Sequence, residues 1–448
     1  MHYDVSTNVK KSLIIRVSNR LQEAYMKKIT AILMGAGDRG LNAYAPYALK
    51  FPEKLEFVAI AEPDPERRAH FAALHKIPMD RQFSDYTQLL DLPKIADMAL
   101  ICTQDQMHLD PTLKSLEKGY HVLLEKPMST SPLECLQIQD AANKHQRLLS
   151  ICHVLRYTNF FSTLKKLLED NAIGQLVSIQ HNENVGYFHQ AHSFVRGNWR
   201  NSKESSPMIL AKCCHDMDIM HYLAGSPCKN IASFGSLMHF KAENAPEGAP
   251  NYCLDGCPIE DTCAFYAPKQ YLTDNVAWPT SVISNDTSHE ARWNALKNGP
   301  YGRCVYKCDN DVVDHQVVSI EFENGITAAF TMSAFTMTCT RTIKLMGTKG
   351  EIRGSMERNE IQVHDFETGN NVTIDLSKPI SGHGGGDFGI ISDYVKLLQV
   401  EGRKGLTTVE HSVESHMMAF AAEKSRIEGG VVNLKKYMQT LKENAQGY

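Results

Sequence analysis

A glycine-rich turn between a buried strand and a helix constrains this chain of 448 residues more than any other feature. Residues 28–34 form an apolar run typical of a strand that is buried on both faces. Gly35, Gly37 and Gly40 follow in a Gly-x-Gly-x-x-Gly pattern, and residues 41–50 are predicted to be helical. These glycines permit a tight turn, close approach of a pyrophosphate and close packing of the helix. The segment therefore predicts a dinucleotide-binding unit.

Strands and helices continue to alternate up to about residue 150. Further buried strands are predicted at residues 55–61, 96–102 and 121–124, and helices at residues 65–75 and 108–118. Such alternation is typical of a parallel, doubly wound sheet. We therefore expect residues 27–150 to form an α/β Rossmann domain.

Glu62 ends the second predicted strand, 22 residues after Gly40. A carboxylate at this point can accept hydrogen bonds from the ribose hydroxyls and would repel a 2′-phosphate. This favours NAD over NADP as the cofactor. Arg67 on the following helix is a contrary signal, because an arginine there can reach a phosphate.

After residue 150 the apolar pattern changes to a period of two residues, which is typical of half-buried strands. Strands are predicted at residues 177–181, 316–323, 326–332, 342–346, 351–355 and 361–366. Glu323-Asn324-Gly325 is a hairpin turn signal. We expect residues 151–448 to form an α+β substrate domain with a large, mostly antiparallel open sheet, covered by helices at 388–399 and 408–426.

Residues 1–26 match no element of this pattern, and Met26 directly precedes the first strand. Residues 22–24 can be encoded by a ribosome-binding sequence upstream of a start codon. We therefore expect residues 1–26 to be an extension that the natural protein lacks. Detection of a native peptide covering residues 11–20 by mass spectrometry would contradict this expectation.

The overall charge and hydropathy exclude several classes of protein. The net charge of −4 gives no basis for a nucleic-acid or anionic-membrane partner. No apolar run approaches the roughly 20 residues that span a bilayer, and residues 13–15 are too short for the apolar core of a signal peptide. We therefore expect a cytoplasmic protein.

Five of the twelve cysteines fall in one irregular segment, an expected insertion at residues 241–310. They are Cys253, Cys257, Cys263, Cys304 and Cys308. In a reducing compartment such a group indicates metal ligands or free thiols before disulfides. A structural zinc ion would hold a segment with little core of its own. Free or redox-active thiols remain the alternative.

Two further stretches carry a resemblance to a known family. Residues 103–108 and the run Lys118 to Pro127, which ends in Glu125-Lys126-Pro127, resemble the Gfo/Idh/MocA oxidoreductases when combined with the glycine turn. The resemblance implies a nicotinamide cofactor in the cleft between the domains. It also implies that Lys126 contacts both the nicotinamide ribose and a substrate hydroxyl. The cofactor contacts that it implies, besides the glycines and Glu62, are Asp38, Arg39, Thr103, His108, Glu125 and Lys126.

The resemblance extends to the run from Lys212 to Asp218. Family members commonly carry an aspartate, a histidine four residues later and an aspartate three residues after that. His215 and Asp218 fit, but Ala211 stands in place of the first aspartate, and Lys212 or Asp216 is a possible substitute. A histidine has a suitable pKa to take a hydroxyl proton. Because residues 212, 215 and 218 share one helix face, we expect all three in the cleft.

Weaker signals point to substrate contacts. Arg156 and Tyr157 follow the strand that leaves the first domain, and Trp199-Arg200 resembles a family pair near the nicotinamide. Packing or surface ion pairs are the alternative for all four. His383 lies in a run, residues 382–387, that resembles a branch of the family containing NAD-dependent glycosidases. The alternative for this run is a capping loop with Asp387 as the helix N-cap.

The resemblance implies a sugar, polyol or sugar derivative as the substrate, and together with the features above it predicts an enzyme that transfers a hydride between NAD and a hydroxyl of that substrate. Two alternatives remain open: a glycosidase that recycles NAD through transient oxidation and elimination, and a sensor of NAD and sugar without activity. The open sheet predicts a homodimer or homotetramer.

Overall fold

The computed structural model describes residues 27–377, 382–400, 402 and 405–446. They form two sheets. The first has six parallel strands in the order β3-β2-β1-β4-β5-β6. These strands are β1 (Ile29–Met34), β2 (Leu55–Ala61), β3 (Gln82–Phe83), β4 (Met98–Ile101), β5 (His121–Leu124) and β6 (Leu149–Ile151). The predicted Rossmann sheet is thus confirmed.

The apolar run of β1 is explained by packing on both faces of this sheet. Ile32 and Met34 belong to one hydrophobic core, and Ala31 and Leu33 belong to the other. All four side chains are fully buried. Because β1 lies next to β4 at the point where the strand order reverses, the turn after β1 opens at the edge where such sheets bind ligands.

Helices cover the first sheet and connect its strands. They are α1 (Pro46–Lys50), α2 (Pro65–His75), α3 (Tyr86–Asp91), α4 (Leu109–Glu117) and α5 (Pro132–His145). The helix predicted at residues 41–50 differs, because a π-helical turn spans Asp38–Tyr44 and α1 follows only at Pro46.

The second sheet has nine strands in the order β14-β13-β12-β11-β7-β10-β9-β8-β15. Only the pair β7 and β10 is parallel among the described strands of this sheet. The strands are β7 (Leu176–Asn184), β8 (Cys228–Ser236), β9 (His315–Phe322), β10 (Thr327–Ser333), β11 (Thr340–Gly347), β12 (Gly350–Ser355), β13 (Glu360–Asp365), β14 (Asn371–Asp375) and β15 (Val432–Asn433). The predicted mostly antiparallel open sheet is confirmed, including the β9–β10 hairpin at Gly325, whose φ is +86°.

The remaining helices belong to the second half of the chain. They are α6 (Asn159–Glu169), α7 (Tyr187–His189), α8 (Met208–Ala211), α9 (Cys214–Ala224), α10 (Ala267–Tyr271), α11 (His289–Asn298), α12 (Gly386–Gln399), α13 (Val409–Glu428) and α14 (Leu434–Gln446). A second π-helical turn spans Gln190–Arg196. No helix within the described ranges is long and apolar enough to cross a membrane.

One predicted helix packs in an unexpected place. Helix α13 covers the second sheet, since the Ser425 hydroxyl accepts the backbone N–H of Ser233 at 2.9 Å. Helix α12 instead packs on the Rossmann sheet, where the Tyr394 hydroxyl donates to the carbonyl of Val122 at 2.8 Å. The prediction that both helices cover the second sheet is therefore wrong for α12, whose Ile390 and Ile391 belong to the same core as Ala31 and Leu33 of β1.

The Cys-rich insertion contains α10, α11 and one small core of its own, and it shares a second small core with Ala191 and Val195 of the π-helical turn. Buried polar contacts attach it to the π-helical turn Gln190–Arg196. His192 Nδ1 lies 2.8 Å from the Tyr271 hydroxyl, and Arg196 donates to the carbonyls of Arg303 and Phe265 at 2.7 and 2.6 Å. The insertion is thereby held against the segment that follows β7.

Candidate functional site

A cavity of about 290 Å³ opens at the carboxyl edge of β1, β2 and β4. Gly35, Gly37, Glu62, Arg67 and Thr103 line it. This is the edge at which parallel sheets bind nucleotides. The sequence-predicted glycine turn, the acidic end of β2 and the loop after β4 are therefore brought together at one place.

The three glycines of the turn differ in what they tolerate. A Cβ on Gly35 would lie 2.4 Å from the Cys102 carbonyl oxygen, at a φ of +91°, and a Cβ on Gly40 would lie 2.3 Å from the Gly35 carbonyl oxygen. A Cβ on Gly37 would meet no atom within 4 Å. The first and third glycines are required by the fold, whereas Gly37 leaves open space where a pyrophosphate can approach. The turn fits a dinucleotide.

Glu62 is buried and fixed by the loops around it. Its Oε2 accepts the N–H of Ala36 at 2.6 Å, and its Oε1 accepts the N–H of Asp64 at 3.0 Å and a guanidinium hydrogen bond from Arg67 at 3.2 Å. Because the carboxylate ties the glycine turn to the end of β2, it is held at the cavity wall in a defined orientation.

His108, predicted to contact the cofactor, is buried beneath the site and does not line the cavity. Its Nδ1 lies 2.7 Å from the carbonyl oxygen of Pro127, and its Nε2 lies 3.2 Å from that of Thr103. His108 thus joins the loop after β4 to the loop after β5. These contacts position the two loops relative to each other.

Arg39 and Glu125 form a buried ionic group with Asp387. Arg39 Nε lies 2.6 Å from Glu125 Oε1, and its Nη2 lies 2.8 Å from Asp387 Oδ1. The Tyr44 hydroxyl also donates to Glu125 at 3.0 Å. Burial opposes the charged form of Glu125, but Arg39 and Lys126 outweigh it, so the pKa of this carboxyl lies below its ordinary value. The group fixes Glu125 as a carboxylate behind Lys126.

A second cleft of about 500 Å³ lies between the two sheets and adjoins this ionic group. Seven of the sequence-predicted site residues line it: Asp38, Arg39, Lys126, Trp199, Lys212, His215 and His383. Its volume falls within the roughly 300–1,000 Å³ typical of small-molecule sites.

Lys126 projects into this cleft from the loop after β5. Its Nζ donates to the carbonyl of Ala211 at 2.9 Å, and its backbone N–H donates to the Glu125 carboxylate. The peptide bond between Lys126 and Pro127 is cis. An ammonium group has three protons, so this single hydrogen bond leaves two for a ligand.

His215 lies in the first turn of α9 and is 5 % exposed. Its Nδ1 has no hydrogen-bond partner within the described part of the chain. Burial, reinforced by the charge of Lys126, lowers the pKa of His215 well below its ordinary 6.5. The imidazole is therefore neutral at pH 7, and its ring lines the cleft.

Lys212 lines the cleft, where it contacts residues that the sequence analysis did not identify. Its Nζ lies 3.3 Å from Glu183 Oε1, and Arg341 Nη2 lies 2.6 Å from Glu183 Oε2. Glu183 and Arg341 also line the cleft and are directly paired across β7 and β11. They supply a carboxylate and a guanidinium that can bind substrate hydroxyls.

Asp216, considered as a substitute for the missing aspartate, does not face the cleft. Its Oδ1 accepts hydrogen bonds from Arg341 at 2.8 Å and from His181 at 2.8 Å. Burial opposes its charge, but Arg341 prevails and lowers its pKa. Asp216 therefore orients Arg341.

The prediction that Asp218 shares the cleft with Lys212 and His215 is wrong. The helix is interrupted, because α8 ends at Ala211 and α9 begins at Cys214. Asp218 is buried behind the cleft in a bidentate ion pair with Arg156, at 2.7 Å for each contact.

Three other predicted substrate contacts are also placed elsewhere, and none of them lines the cleft. Arg156 is committed to Asp218 and to the carbonyl of Leu406 at 2.7 Å. The hydroxyl of Tyr157 lies 3.0 Å from that of Thr407, and Arg200 pairs with Asp309 at 2.8 Å. These residues therefore take part in packing and ion pairs, which were the alternatives to substrate contact.

His383 enters the cleft from the run before α12. Its ring centroid lies 6.2 Å from that of His215, and its Nδ1 lies 3.1 Å from Asp387 Oδ1. Gly385 occupies the N-cap of α12, so the alternative of Asp387 as the N-cap is wrong. Burial opposes the charged form of the Asp387 carboxyl, but the hydrogen bond to His383 and the charge of Arg39 outweigh it and lower its pKa to about 2.

Several cleft residues escaped the sequence analysis altogether. They are Glu183, His189, Trp278, Arg341 and Glu357. They come from β7, β11, a turn and the insertion, so no local motif contains them. The inward register of β7 and β11 is the signal that could have found Glu183 and Arg341.

The structure does not support the predicted zinc ion. Cys253, Cys257, Cys263 and Cys304 line one small cavity of about 10 Å³, whereas Cys308 does not. All twelve cysteines are free, and the described residues include no group of three or more ligands able to hold a metal.

Comparisons with known proteins agree with this geometry. Residues 29–153 match the model described as "Oxidoreductase family, NAD-binding Rossmann fold", and residues 165–434 match that described as "Oxidoreductase family, C-terminal alpha/beta domain". YteT of Bacillus subtilis (strain 168), named as an oxidoreductase, is 22% identical over 393 residues, which cover 82% of this chain and 88% of YteT.

Another relative is the 2,7-anhydro-N-acetylneuraminate hydratase of Escherichia coli (strain K12), 24% identical over 142 residues. That match covers 32% of this chain and only 37% of the hydratase. Among solved structures, levoglucosan dehydrogenase in complex with NADH and L-sorbose aligns with a TM-score of 0.67 at 19% identity, covering 91% of this chain and 99% of the other.

An oxidoreductase from Agrobacterium radiobacter in complex with NAD⁺, L-tartaric acid and magnesium aligns with a TM-score of 0.66 at 15% identity. The alignment covers 92% of this chain and 100% of the other. At these identities the likeness to solved structures shows the fold.

Proposed function

The chain belongs to the Gfo/Idh/MocA oxidoreductase family, whose two domain models together match most of it, and we propose that it is an NAD-dependent dehydrogenase of a sugar or polyol hydroxyl. The observation that carries the proposal is the pairing of Lys126 with a neutral His215 in one cleft beside the glycine turn. An alcohol that is oxidised must lose both a hydride and a proton. These two side chains are suited to handle the proton.

The nicotinamide, when bound, supplies the acceptor or donor of the hydride. Lys126 binds the reacting oxygen with the ammonium protons that Ala211 leaves free, and so favours a developing alkoxide or polarises a carbonyl. The neutral imidazole of His215, which lines the cleft, accepts the hydroxyl proton during oxidation and returns it during reduction. Glu183, Arg341 and Lys212 bind the neighbouring hydroxyls of the substrate.

Glu62 supports NAD as the cofactor. Its carboxylate is buried at the wall of the dinucleotide cavity, where a 2′-phosphate would meet its negative charge. Arg67 is 44% exposed and engaged with Glu62, so it only partly offsets this charge. We also propose that the enzyme works in the cytoplasm, where its free cysteines stay reduced.

The outer face of the second sheet supports a proposal of self-association. Small and apolar side chains at Val317, Ser319, Thr327 and Ala329 are exposed on neighbouring strands β9 and β10. A face of this kind can pack flat against a second copy, which gives a homodimer or homotetramer. Light scattering of the purified protein tests this, and a monomer at micromolar concentration would contradict it.

The test of the proposed function is turnover. The purified protein is incubated with NAD and a panel of sugars, cyclitols, alditols and methyl glycosides in deuterated water, and the products are followed by proton NMR. A keto product that accumulates in equal amount with NADH supports the dehydrogenase. Absence of both across the panel, with NAD bound, contradicts it.

A second candidate is a glycosidase or lyase that recycles NAD. Two observations favour it: the hydratase relative, and the placement of His383 beside His215, which puts a second imidazole at the substrate position. Transient oxidation acidifies the neighbouring C–H bond, and a base can then remove that proton. In the same experiment this candidate predicts deuterium on carbon and release of the leaving group with no net NADH.

A further inference from the structure

The cleft receives an aromatic side chain from the Cys-rich insertion. Trp278 belongs to the Cys-rich insertion, yet it lines the same cleft as Lys126 and His215. Its side chain is 40% exposed. An indole of this exposure inside a polar cleft leaves a large apolar surface without a protein partner, and this surface requires an explanation.

Trp278 is one end of a continuous aromatic surface. Its ring centroid lies 4.8 Å from that of His189, His189 lies 5.8 Å from Phe194, and Phe194 lies 6.2 Å from Trp199. All four side chains line the cleft. We refer to these four residues as the aromatic wall.

The protein holds Trp278 in place from behind. Its indole is edge-on to His192 at 5.6 Å, and His192 in turn is stacked on Tyr301 at 4.8 Å and hydrogen-bonded to Tyr271 at 2.8 Å. Gln270 donates to the carbonyl of Phe188 at 2.9 Å. These contacts attach the insertion to α7, which carries His189, and to the π-helical turn that follows it, so the indole is held at the cleft by packed neighbours.

Cyclic sugars and cyclic polyols carry two kinds of surface. Their edges are hydroxyl groups, and their faces include patches of C–H bonds that can lie flat on an aromatic ring. An open-chain polyol has no such flat face and loses more torsional freedom when it binds. A cleft that combines an aromatic wall with Lys126, Lys212 and Arg341 matches the cyclic class.

We propose that Trp278 is a specificity-determining residue that stacks on the C–H face of a cyclic sugar or cyclitol, so that the insertion selects ring substrates over open-chain polyols. The inference rests on the proposed function, because it concerns the substrate of the same cleft. A stack on a non-reacting face is equally strong in the ground state and the transition state. Its loss therefore raises KM and leaves kcat nearly unchanged.

The matched control lies in the same insertion. Trp293 on α11 is 43% exposed, pairs with His289 at 6.4 Å and does not line the cleft. The variants are Trp278→Ala, Trp278→Phe and Trp293→Ala, each compared with the wild-type protein. KM and kcat are measured with NAD for cyclic substrates and for alditols, and the melting temperature of each variant is recorded.

We expect Trp278→Ala to raise KM for cyclic substrates by about tenfold, equivalent to about 1.4 kcal/mol, without a matching rise for alditols. Trp278→Phe should recover most of the loss, and Trp293→Ala should match the wild type. Unchanged KM in Trp278→Ala, or an equal rise for both substrate classes, would overturn the inference while the proposed function stands. A wild-type protein inactive on the whole panel would overturn the proposed function and the inference with it.

Discussion

At the residue scale, the chemistry depends on where the charges of Lys126 and its neighbours are fixed. The backbone carbonyl of Ala211 accepts one hydrogen bond from the ammonium group of Lys126, and Arg39 holds Glu125 behind this lysine. An aspartate at position 211 would place a carboxylate near this ammonium. With alanine there, Lys126 keeps its donors for the substrate, and the neutral His215 remains as the proton acceptor.

Substitution of Lys126 tests this assignment. Lys126→Ala should lower kcat by roughly 10²–10⁴-fold, because the group that assists proton transfer is lost. The affinity for NAD should fall much less than kcat, since the glycine turn lies on a different loop and Lys126 would meet only the nicotinamide ribose. Steady-state kinetics and calorimetric titration with NAD measure the two effects. Lys166→Ala, which removes an exposed lysine paired with Asp170, is the control and should behave like the wild type.

The pH dependence of oxidation tests the state of His215. Burial keeps the pKa of this imidazole well below 6.5, so it stays deprotonated and able to accept a proton as the pH falls from 8 toward 6. The pH profile of kcat/KM, which reports on the free enzyme, should therefore show no acid limb near 6.5. Half-loss of kcat/KM close to pH 6.5 would mean that another group, or an exposed histidine, is the base.

Sequence alone identifies the residues that belong to compact motifs. The glycine turn, Glu62, Lys126 and His215 all lie in short runs with a definite spacing, and all reach the two cavities. The predictions for Asp218 and Arg156 are wrong because the two side chains form an ion pair in the interior, and the sequence does not show this pairing between residues 62 positions apart. Glu183 and Arg341 were missed because only the pairing of β7 with β11 brings them together.

At the scale of elements, two glycines in the turn after β1 have different roles, which the sequence pattern does not distinguish. Gly35 is needed for backbone conformation, since its φ is +91° and a Cβ would collide with Cys102. Gly37 has an ordinary extended conformation, with a φ of −70°, and space beside it. Gly35 is therefore required for the backbone conformation of the turn, and Gly37 leaves space for a ligand.

Two substitutions distinguish these demands. Gly35→Ala should destabilise the protein by at least about 1–2 kcal/mol, the cost of a left-handed conformation for a residue with a Cβ. Gly37→Val should leave the melting temperature nearly unchanged and weaken NAD binding more than tenfold, because its side chain fills the open space. Thermal unfolding and NAD titration of both variants measure this, and equal effects on both properties would contradict the distinction.

The sequence predicts most of the helices and strands, but it does not predict which sheet a helix packs against. The periods of the apolar residues identified the parallel and antiparallel sheets. Helix α12 was expected on the second sheet because it follows those strands in the chain, yet Ile390 and Tyr394 pack on the Rossmann core. The sequence also gives no sign of the break between α8 and α9, because the run from Lys212 to Cys214 contains neither glycine nor proline.

At the scale of the whole molecule, many histidines are buried in the neutral state. Burial is the main cause that lowers the pKa of His192 and His416 to about 3 and that of His221 to about 4. The unfolded chain binds protons at these side chains below about pH 6.5, whereas the folded protein does not. Protonation therefore favours unfolding as the pH falls.

The expected result is a stability that is full above pH 6.5 and falls steadily toward pH 4. Each such histidine contributes a loss of about 1.4 kcal/mol per pH unit in that window. Denaturant titrations of the protein at pH 7.5, 6.0 and 5.0, values chosen to bracket roughly the unperturbed histidine pKa, measure it. A free energy of unfolding that stays constant or rises over this range would show that the histidines are accessible to protons in the folded state.

The most direct test of the central claim follows the hydride itself. The protein is incubated with NAD and cyclic sugars and cyclitols that carry deuterium on every carbon, and the mass of the reduced dinucleotide is measured by mass spectrometry. Direct transfer between substrate carbon and cofactor predicts NADH that carries one deuterium, and much less of it with Lys126→Ala. Reduced cofactor without the label, or none with any ring substrate, would contradict the account.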